Sequence, residues 1–208
     1  MEIIWNGHSC FTLRHQDYDL VIDPYAPDKI PGFQPLRLRA DRVLCTHTHD
    51  DHCFTAAVTL TGVEKKCPFA VKTIESWHDD QKGALRGMDK IFRLEADGLR
   101  LVHMGDIGCE LSEEQVQLLH HPDVLMVPVG GFYTIDAKQA KALADRLDAR
   151  VIVPMHYRGE DFGFPVLGTL DQFTSLFPAD FVRYYDSNCM TVVPNMESQV
   201  AVLKRPGA

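Results

Sequence analysis

The sequence predicts a layered, mixed α/β domain, and two observations carry that expectation. Short apolar runs of strand length recur between polar turns in the first half, while helical patterns appear only later. Segments 124–129, 137–147 and 150–155 then read as strand, helix and strand, the order of a right-handed parallel crossover. Early hairpins with later helices covering sheets make a layered architecture.

Taken in order, strands are expected at 2–5, 11–14, 20–23, 42–46, 69–73, 90–95 and 99–104. Asp97-Gly98 between the last two is a hairpin turn signal. Ser112 opens a helix, with Gln115 completing a capping pattern. Asp136 caps a helix that lines up Ala140, Leu143, Ala144 and Leu147 on one face. Thr169 or Asp171 starts a short helix ending near Phe177-Pro178, and late strands are expected at 181–185 and 199–203.

The chain has 208 residues, 45% hydrophobic and 24% charged, which fits one soluble domain (residues 1–208) and excludes a disordered, collagen-like or coiled-coil chain. No apolar run is long enough to cross a bilayer, and the N-terminus lacks the basic and apolar regions of a signal peptide, so a cytoplasmic location is expected. The net charge of -8, from 21 basic and 29 acidic side chains, disfavours nucleic acid as a partner, because binding phosphates needs a positive stripe. Six cysteines contain no C-x-x-C pair and are expected to be free thiols. Ten histidines are the unusual feature.

The strongest signal is Thr46-His47-Thr48-His49-Asp50-Asp51-His52, placed where a strand gives way to a loop. His47 and His49 are two apart, so on extended backbone they point to one side and can bind one metal. Asp51 and His52 follow as the chain turns and can serve a second metal, while Asp50 faces away. Neutral imidazole with carboxylate suits zinc, and also manganese, iron or cobalt.

Two later apolar runs also end in ligand types, one in Gly105-Asp106 and one in His156. A carboxylate at Asp106 can bridge two metals. For the third ligand of the first metal, His78 and His103 compete. His103 lies three residues before Asp106, so the two should face opposite sides of one strand. His78 is preferred, and His103 is assigned to the core or behind the ligands. His8 and Asp23 are candidates for orienting ligands by hydrogen bonding, or for purely structural roles. His15, His120 and His121 read as surface residues.

The pattern H-x-H-x-D-H at 47–52, with His78, Gly105-Asp106 and His156, resembles the metallo-β-lactamase superfamily. Gly7-His8-Ser9-Cys10-Phe11, Ile22-Asp23-Pro24, the run from Pro128 to Asp136 and Pro154-Met155-His156-Tyr157 resemble the branch of metal-dependent hydrolases related to the L-ascorbate-6-phosphate lactonase. The resemblance implies an αβ/βα four-layer sandwich, with two mixed sheets face to face, helices outside and metals at one edge. Carried over by position, His47, His49 and His78 hold one metal, Asp51, His52 and His156 the other, and Asp106 bridges. Ile107 departs from the family's usual Thr and removes a hydroxyl beside the bridging aspartate.

The resemblance implies a hydrolase that uses hydroxide on two divalent metals, zinc foremost, against a small lactone or phosphoester. Asp51 is then the proton acceptor, and His156, Tyr133 and Tyr157 are candidates for stabilising an oxyanion. Arg158 and Lys138 are candidates for meeting an anionic group on the substrate. Two other classes compete: a diiron oxidoreductase and a non-catalytic metal-binding protein of the same fold. His49 stands where the diiron branch typically has Glu, and the ligand set is complete, so both count for less. The apolar segment Phe162-Gly163-Phe164-Pro165-Val166 is a candidate lid, interface or packed loop.

Overall fold

The computed structural model describes residues 1–207. The first half is built of strands: β1 (Glu2–Gly7), β2 (Cys10–His15), β3 (Tyr18–Ile22), β4 (Leu38–Ala40), β5 (Arg42–Leu44), β6 (Val58–Leu60), β7 (Ala70–Trp77), β8 (Met88–Ala96) and β9 (Leu99–His103). The second half contains α1 (Glu113–Leu119), β10 (Val124–Pro128), α2 (Ala137–Leu147), β11 (Val151–Met155), α3 (Leu170–Thr174), β12 (Val182–Tyr184), β13 (Cys189–Thr191) and β14 (Gln199–Val202). Each strand and helix expected from the apolar pattern is present. β4, β6 and β13 have no counterpart in the sequence reading, since three residues are too few for alternation to show.

The strands form a five-stranded sheet, β13-β1-β2-β3-β5, a seven-stranded sheet, β12-β14-β11-β10-β9-β8-β7, and a small β4-β6 ribbon. Both large sheets are mixed. β1 alternates between buried and half-buried positions, as a strand with one face on the core should. β10 and β11 are buried at every position, as parallel central strands covered on both faces are. One apolar cluster joins the sheets, running from Ile3, Phe11 and Leu20 to Leu94, Leu101 and Val153. The fold is the expected αβ/βα sandwich, and the three α-helices among the described residues all lie in the second half of the chain.

Local chemistry sets the connections. The Asp136 carboxylate accepts from the Lys138 and Gln139 amides, and the Gln139 side chain accepts from the Asp136 amide, which starts α2. Ala137, Ala140, Ala144 and Leu147 then lie on its buried face. Asp97 and Gly98 both take positive φ, 49° and 78°, as a tight two-residue hairpin requires, and Ala96 pairs with Leu99 across it.

Strand direction places the site. β1, β3 and β5 run parallel in the first sheet, since β2 is antiparallel to both its neighbours. β7, β9, β10 and β11 run parallel in the second, with β8 the antiparallel intruder. The carboxyl ends of these seven strands deliver His8, Asp23, the 45–53 loop, His78, Asp106, the 130–136 loop and His156. One cysteine expectation fails: Cys45 and Cys53 are bridged, with Cα atoms 5.3 Å apart, because the loop between them folds back on itself. Cys10, Cys67, Cys109 and Cys189 are free thiols. No helix among the described residues is long and apolar enough to cross a membrane.

Candidate metal centre

Three overlapping groups of donor atoms gather at this edge: His47, His49 and His78; His47, His52 and Asp106; and His8, Asp51, His52 and His156. Asp106 lies at the centre. Its Oδ2 is 3.2 Å from His52 Nε2, 3.1 Å from His156 Nε2 and 3.5 Å from His78 Nε2. The His47 ring is 4.7 Å from that of His49 and 4.8 Å from that of His78, centroid to centroid. All seven residues expected as ligands are therefore brought together. His49 and Asp51 reach the open side, whereas His47, His52, His78, Asp106 and His156 are buried.

Hydrogen bonds behind these groups fix which nitrogens face inward. Asp23 accepts from the Thr46 amide at 2.7 Å, the Thr46 hydroxyl at 2.7 Å and His52 Nδ1 at 2.8 Å. That leaves the Nε2 lone pair of His52 pointing at Asp106. His47 Nδ1 lies 3.0 Å from the Thr46 hydroxyl and 3.3 Å from Asp89 Oδ1, so its Nε2 is likewise presented to the centre. Asp23 thus orients a site histidine, one of the two roles open to it from sequence. Asp89 was not legible as a site residue. It sits fully buried on β8 in phase with Ile91, and an acid on the apolar side of a strand was the available signal. Asp89 also accepts from the Asp106 amide, and a Cβ on Gly105 would collide with its carboxylate.

His103 and His78 separate cleanly. The Gly105 amide donates to His103 Nδ1 at 3.1 Å, so Nε2 carries the proton and donates to the Ser9 carbonyl at 3.0 Å. Both ring nitrogens are used, and His103 packs against Phe11 inside the core. His78 has a buried Nδ1 with no partner and directs Nε2 at Asp106.

His8 stands closer to the centre than an orienting role requires. It is fully buried, neither ring nitrogen is hydrogen-bonded, its ring is 4.1 Å from that of His156, and Nε2 is 3.7 Å from Asp51 Oδ2. His8, Asp23 and His156 all take left-handed φ, between 51° and 54°. Strained backbone of this kind clusters at functional sites, because the surroundings must over-determine it.

The electrostatics are those of a site short of positive charge. Burial works against the Asp106 carboxylate, yet His156 and His52 hold it well below the usual range. Burial opposes the His52 proton, but Asp106 and Asp23 raise it well above an ordinary imidazole. Burial brings His8 and His78 down to about 4, helped by neighbouring histidines, so both are neutral near pH 7. Burial together with Asp106 and Asp23 raises Asp89 well above an ordinary carboxyl.

A cavity of about 490 Å³ opens over the donors. Its lining includes His49, Asp51, His78, Asp106, Tyr133 and Phe164, together with Lys29 and Arg86. Two expectations about the substrate side need correction. Arg158 and Lys138 do not line this cavity: Arg158 Nε donates to the Leu167 carbonyl, and Lys138 lies exposed at the start of α2. Tyr157 is buried and stacks on Trp5, so it serves packing. Of the apolar segment at 162–166, Phe164 lines the cavity and Phe162 packs against Trp5 and Phe33.

Residues 2–156 match the family profile described as a beta-lactamase superfamily domain. A UPF0173 metal-dependent hydrolase of Methanoregula boonei is 31% identical over 189 residues, which cover 76% of this chain and 82% of that protein. Another, from Archaeoglobus fulgidus, is 28% identical over 193 residues, covering 76% and 83%. Among solved structures, one from Thermotoga maritima, described as a Zn-dependent hydrolase of the metallo-β-lactamase superfamily, matches with a TM-score of 0.75 at 32% identity, covering 97% of each chain.

Proposed function

The chain belongs to the metallo-β-lactamase superfamily and is a metal-dependent hydrolase of the UPF0173 kind, and from that premise we propose that it cleaves a small lactone or phosphoester at a two-metal site. The observation that carries this reading is the set of orphaned donors. Nε2 of His47, His52 and His156 and Oδ1 of Asp106 are buried without hydrogen-bond partners. Leaving so many polar atoms unpaired is costly unless a cation collects them. His47, His49 and His78 would hold one ion, Asp51, His52 and His156 the other, with Asp106 between them. Imidazole and carboxylate donors favour zinc, with manganese, iron and cobalt also accommodated.

Bound there, such ions would make a water acidic enough to supply hydroxide near neutral pH and would polarise the oxygen of the scissile group. The chain's own residues do the rest. Asp51, half-buried and lining the cavity, accepts the proton that the nucleophile loses. Asp23 and Thr46 keep the imidazoles turned inward. Tyr133 lines the same cavity and offers its phenol to charge developing on the substrate. The cavity's volume suits a small molecule. Lactones enter as candidates through the Gly7-His8-Ser9-Cys10-Phe11 and Pro154-Met155-His156-Tyr157 segments.

The test is a turnover screen of zinc- and manganese-loaded protein against lactones and phosphodiesters, with metal content measured alongside. Asp106→Ala is expected to lose metal occupancy and activity together. Retention of both would overturn the central role of Asp106. Two metals bound per chain with no cleavage of either class would overturn the substrate reading.

A further inference from the structure

We propose that Arg86 is a specificity residue, and that the substrate carries an anionic group, carboxylate or phosphate, set apart from the bond that is cleaved. The proposal rests on the reading that hydrolysis takes place in this cavity. Arg86 lines the cavity together with the ligand-type residues His49, His78 and Asp106. Among the described residues, no carboxylate lies within 4.0 Å of its guanidinium, whereas the cavity's other cation, Lys29, has Asp50 at 3.6 Å. The Arg86 guanidinium's one hydrogen bond among the described residues goes to the Phe132 carbonyl, at 3.2 Å from Nη2. A planar fork with free donors beside a reactive centre suits bidentate recognition of carboxylate or phosphate.

Arg86 is also held in place from both sides. Its loop comes directly after His78, and the Asp79 carboxylate ties it into a knot. That carboxylate accepts from the amides of Gln81, Gly83, Leu85 and Arg86 at 2.7 to 3.0 Å. The Gly87 amide closes back on the Gly83 carbonyl, and the Gly87 carbonyl accepts from the His78 amide. On the far side the guanidinium lies 5.7 Å over the Tyr133 ring. Phe132, whose carbonyl faces Arg86, takes a φ of 60°, which is unusual for a bulky residue and is kept here by the turn at 131–135. A solvated arginine needs none of this. One loop bound to a metal-ligand candidate and another under strain converge to hold a single unpaired cation. Phe164 and Tyr133 supply an apolar wall beside it for the body of the substrate.

The experiment compares pairs of substrates that share the scissile group and differ only at a remote substituent. The first is 4-acetoxybenzoate against its methyl ester. A phosphodiester pair, bis(4-carboxyphenyl) phosphate against its dimethyl ester, serves for phosphoester cleavage. In the parent protein kcat/KM is expected to favour the anionic member. In Arg86→Gln that preference is expected to fall about 10- to 100-fold, mostly through KM. Lys82→Gln removes a positive charge from an exposed position on the same loop and should leave the preference in place. Equal rates for both members of a pair in the parent, or an equal fall in both variants, would overturn the proposal.

A second readout needs no turnover. Calorimetric titration of the purified protein with benzoate, phenylphosphonate and benzamide is expected to show weaker binding of one or both anions to Arg86→Gln, with benzamide unaffected. The anion that weakens more tells carboxylate from phosphate. If no substrate is cleaved but the anions still discriminate, the hydrolysis reading fails and the anion site stands. If hydrolysis proceeds and Arg86→Gln binds all three probes as the parent does, the anion site fails alone.

Discussion

At the scale of single residues, chemistry here is decided by which atoms are already spoken for. His103 and His78 have similar burial, yet one has both nitrogens bonded inside the core and the other directs Nε2 at Asp106. His78→Ala is therefore expected to lose metal, measured by elemental analysis after dialysis. His103→Ala is expected to keep most of it and to melt lower. Removing the His103 ring leaves the Ser9 carbonyl and the Gly105 amide unpaired, at roughly 1–3 kcal/mol each, and so a fall in Tm of roughly 4–24 °C. If His103→Ala loses metal and His78→Ala does not, the assignment is reversed. The preference for His78 was legible in the sequence, because alternation along one strand separates His103 from Asp106, and the two variants test it. Arg86 and Asp89 were not. Arg86 lies in a loop with no periodicity, and Asp89 gains its meaning only from Gly105-Asp106, brought over it from another strand. The Cys45–Cys53 bridge was hidden likewise, since the reversal that joins the two cysteines comes from the loop between them.

At the scale of elements, caps and turns were the most legible features because their chemistry is local. Ser112 with Gln115, Asp136 with Gln139, and Asp97-Gly98 act within four residues of themselves. The β4-β6 ribbon is the opposite case: its register depends on partners about twenty residues apart. Asp41 holds that region together, accepting from the Thr61 hydroxyl at 2.6 Å, the Asp19 amide at 2.9 Å and Lys65 Nζ at 3.2 Å. Burial opposes its charge, but these donors outweigh it and keep the carboxyl below its ordinary value. A carboxyl lowered on folding contributes stability above its unfolded pKa of about 3.9, and loses it as pH falls through the lower folded value. Asp41→Asn should thus cost about 1–3 kcal/mol at pH 7, with the gap to the parent closing as the solution is acidified below about pH 4. Urea unfolding of metal-free protein at pH 7 and pH 3 measures this. A gap independent of pH would show that the charge contributes nothing.

At the scale of the whole molecule, the fold class was legible from strands, crossover and ligand spacing, but the closing of the two sheets was not. Residues 2–156 match the family profile and contain every proposed ligand, yet both sheets depend on strands beyond residue 156. β14 lies between β11 and β12 in the second sheet, and β13 crosses to the first to pair with β1, setting Glu2 against Thr191. A chain ending at residue 156 is therefore expected to hold metal poorly despite its full donor set, and to be cut rapidly in limited proteolysis. Protease resistance equal to that of the full chain would show the last strands to be dispensable. The β1–β13 pairing also bears on birth in the cell. At about 5–20 residues per second, β1 is made roughly 10–40 s before its partner. Through that interval Ile3, Ile4 and Trp5 offer an open strand edge to any neighbouring chain. In stalled ribosome complexes the Trp5 amide, which donates to the Asn188 carbonyl, should therefore gain protection only once residue 191 has cleared the exit tunnel, whereas the β2-facing side of β1 should gain it earlier.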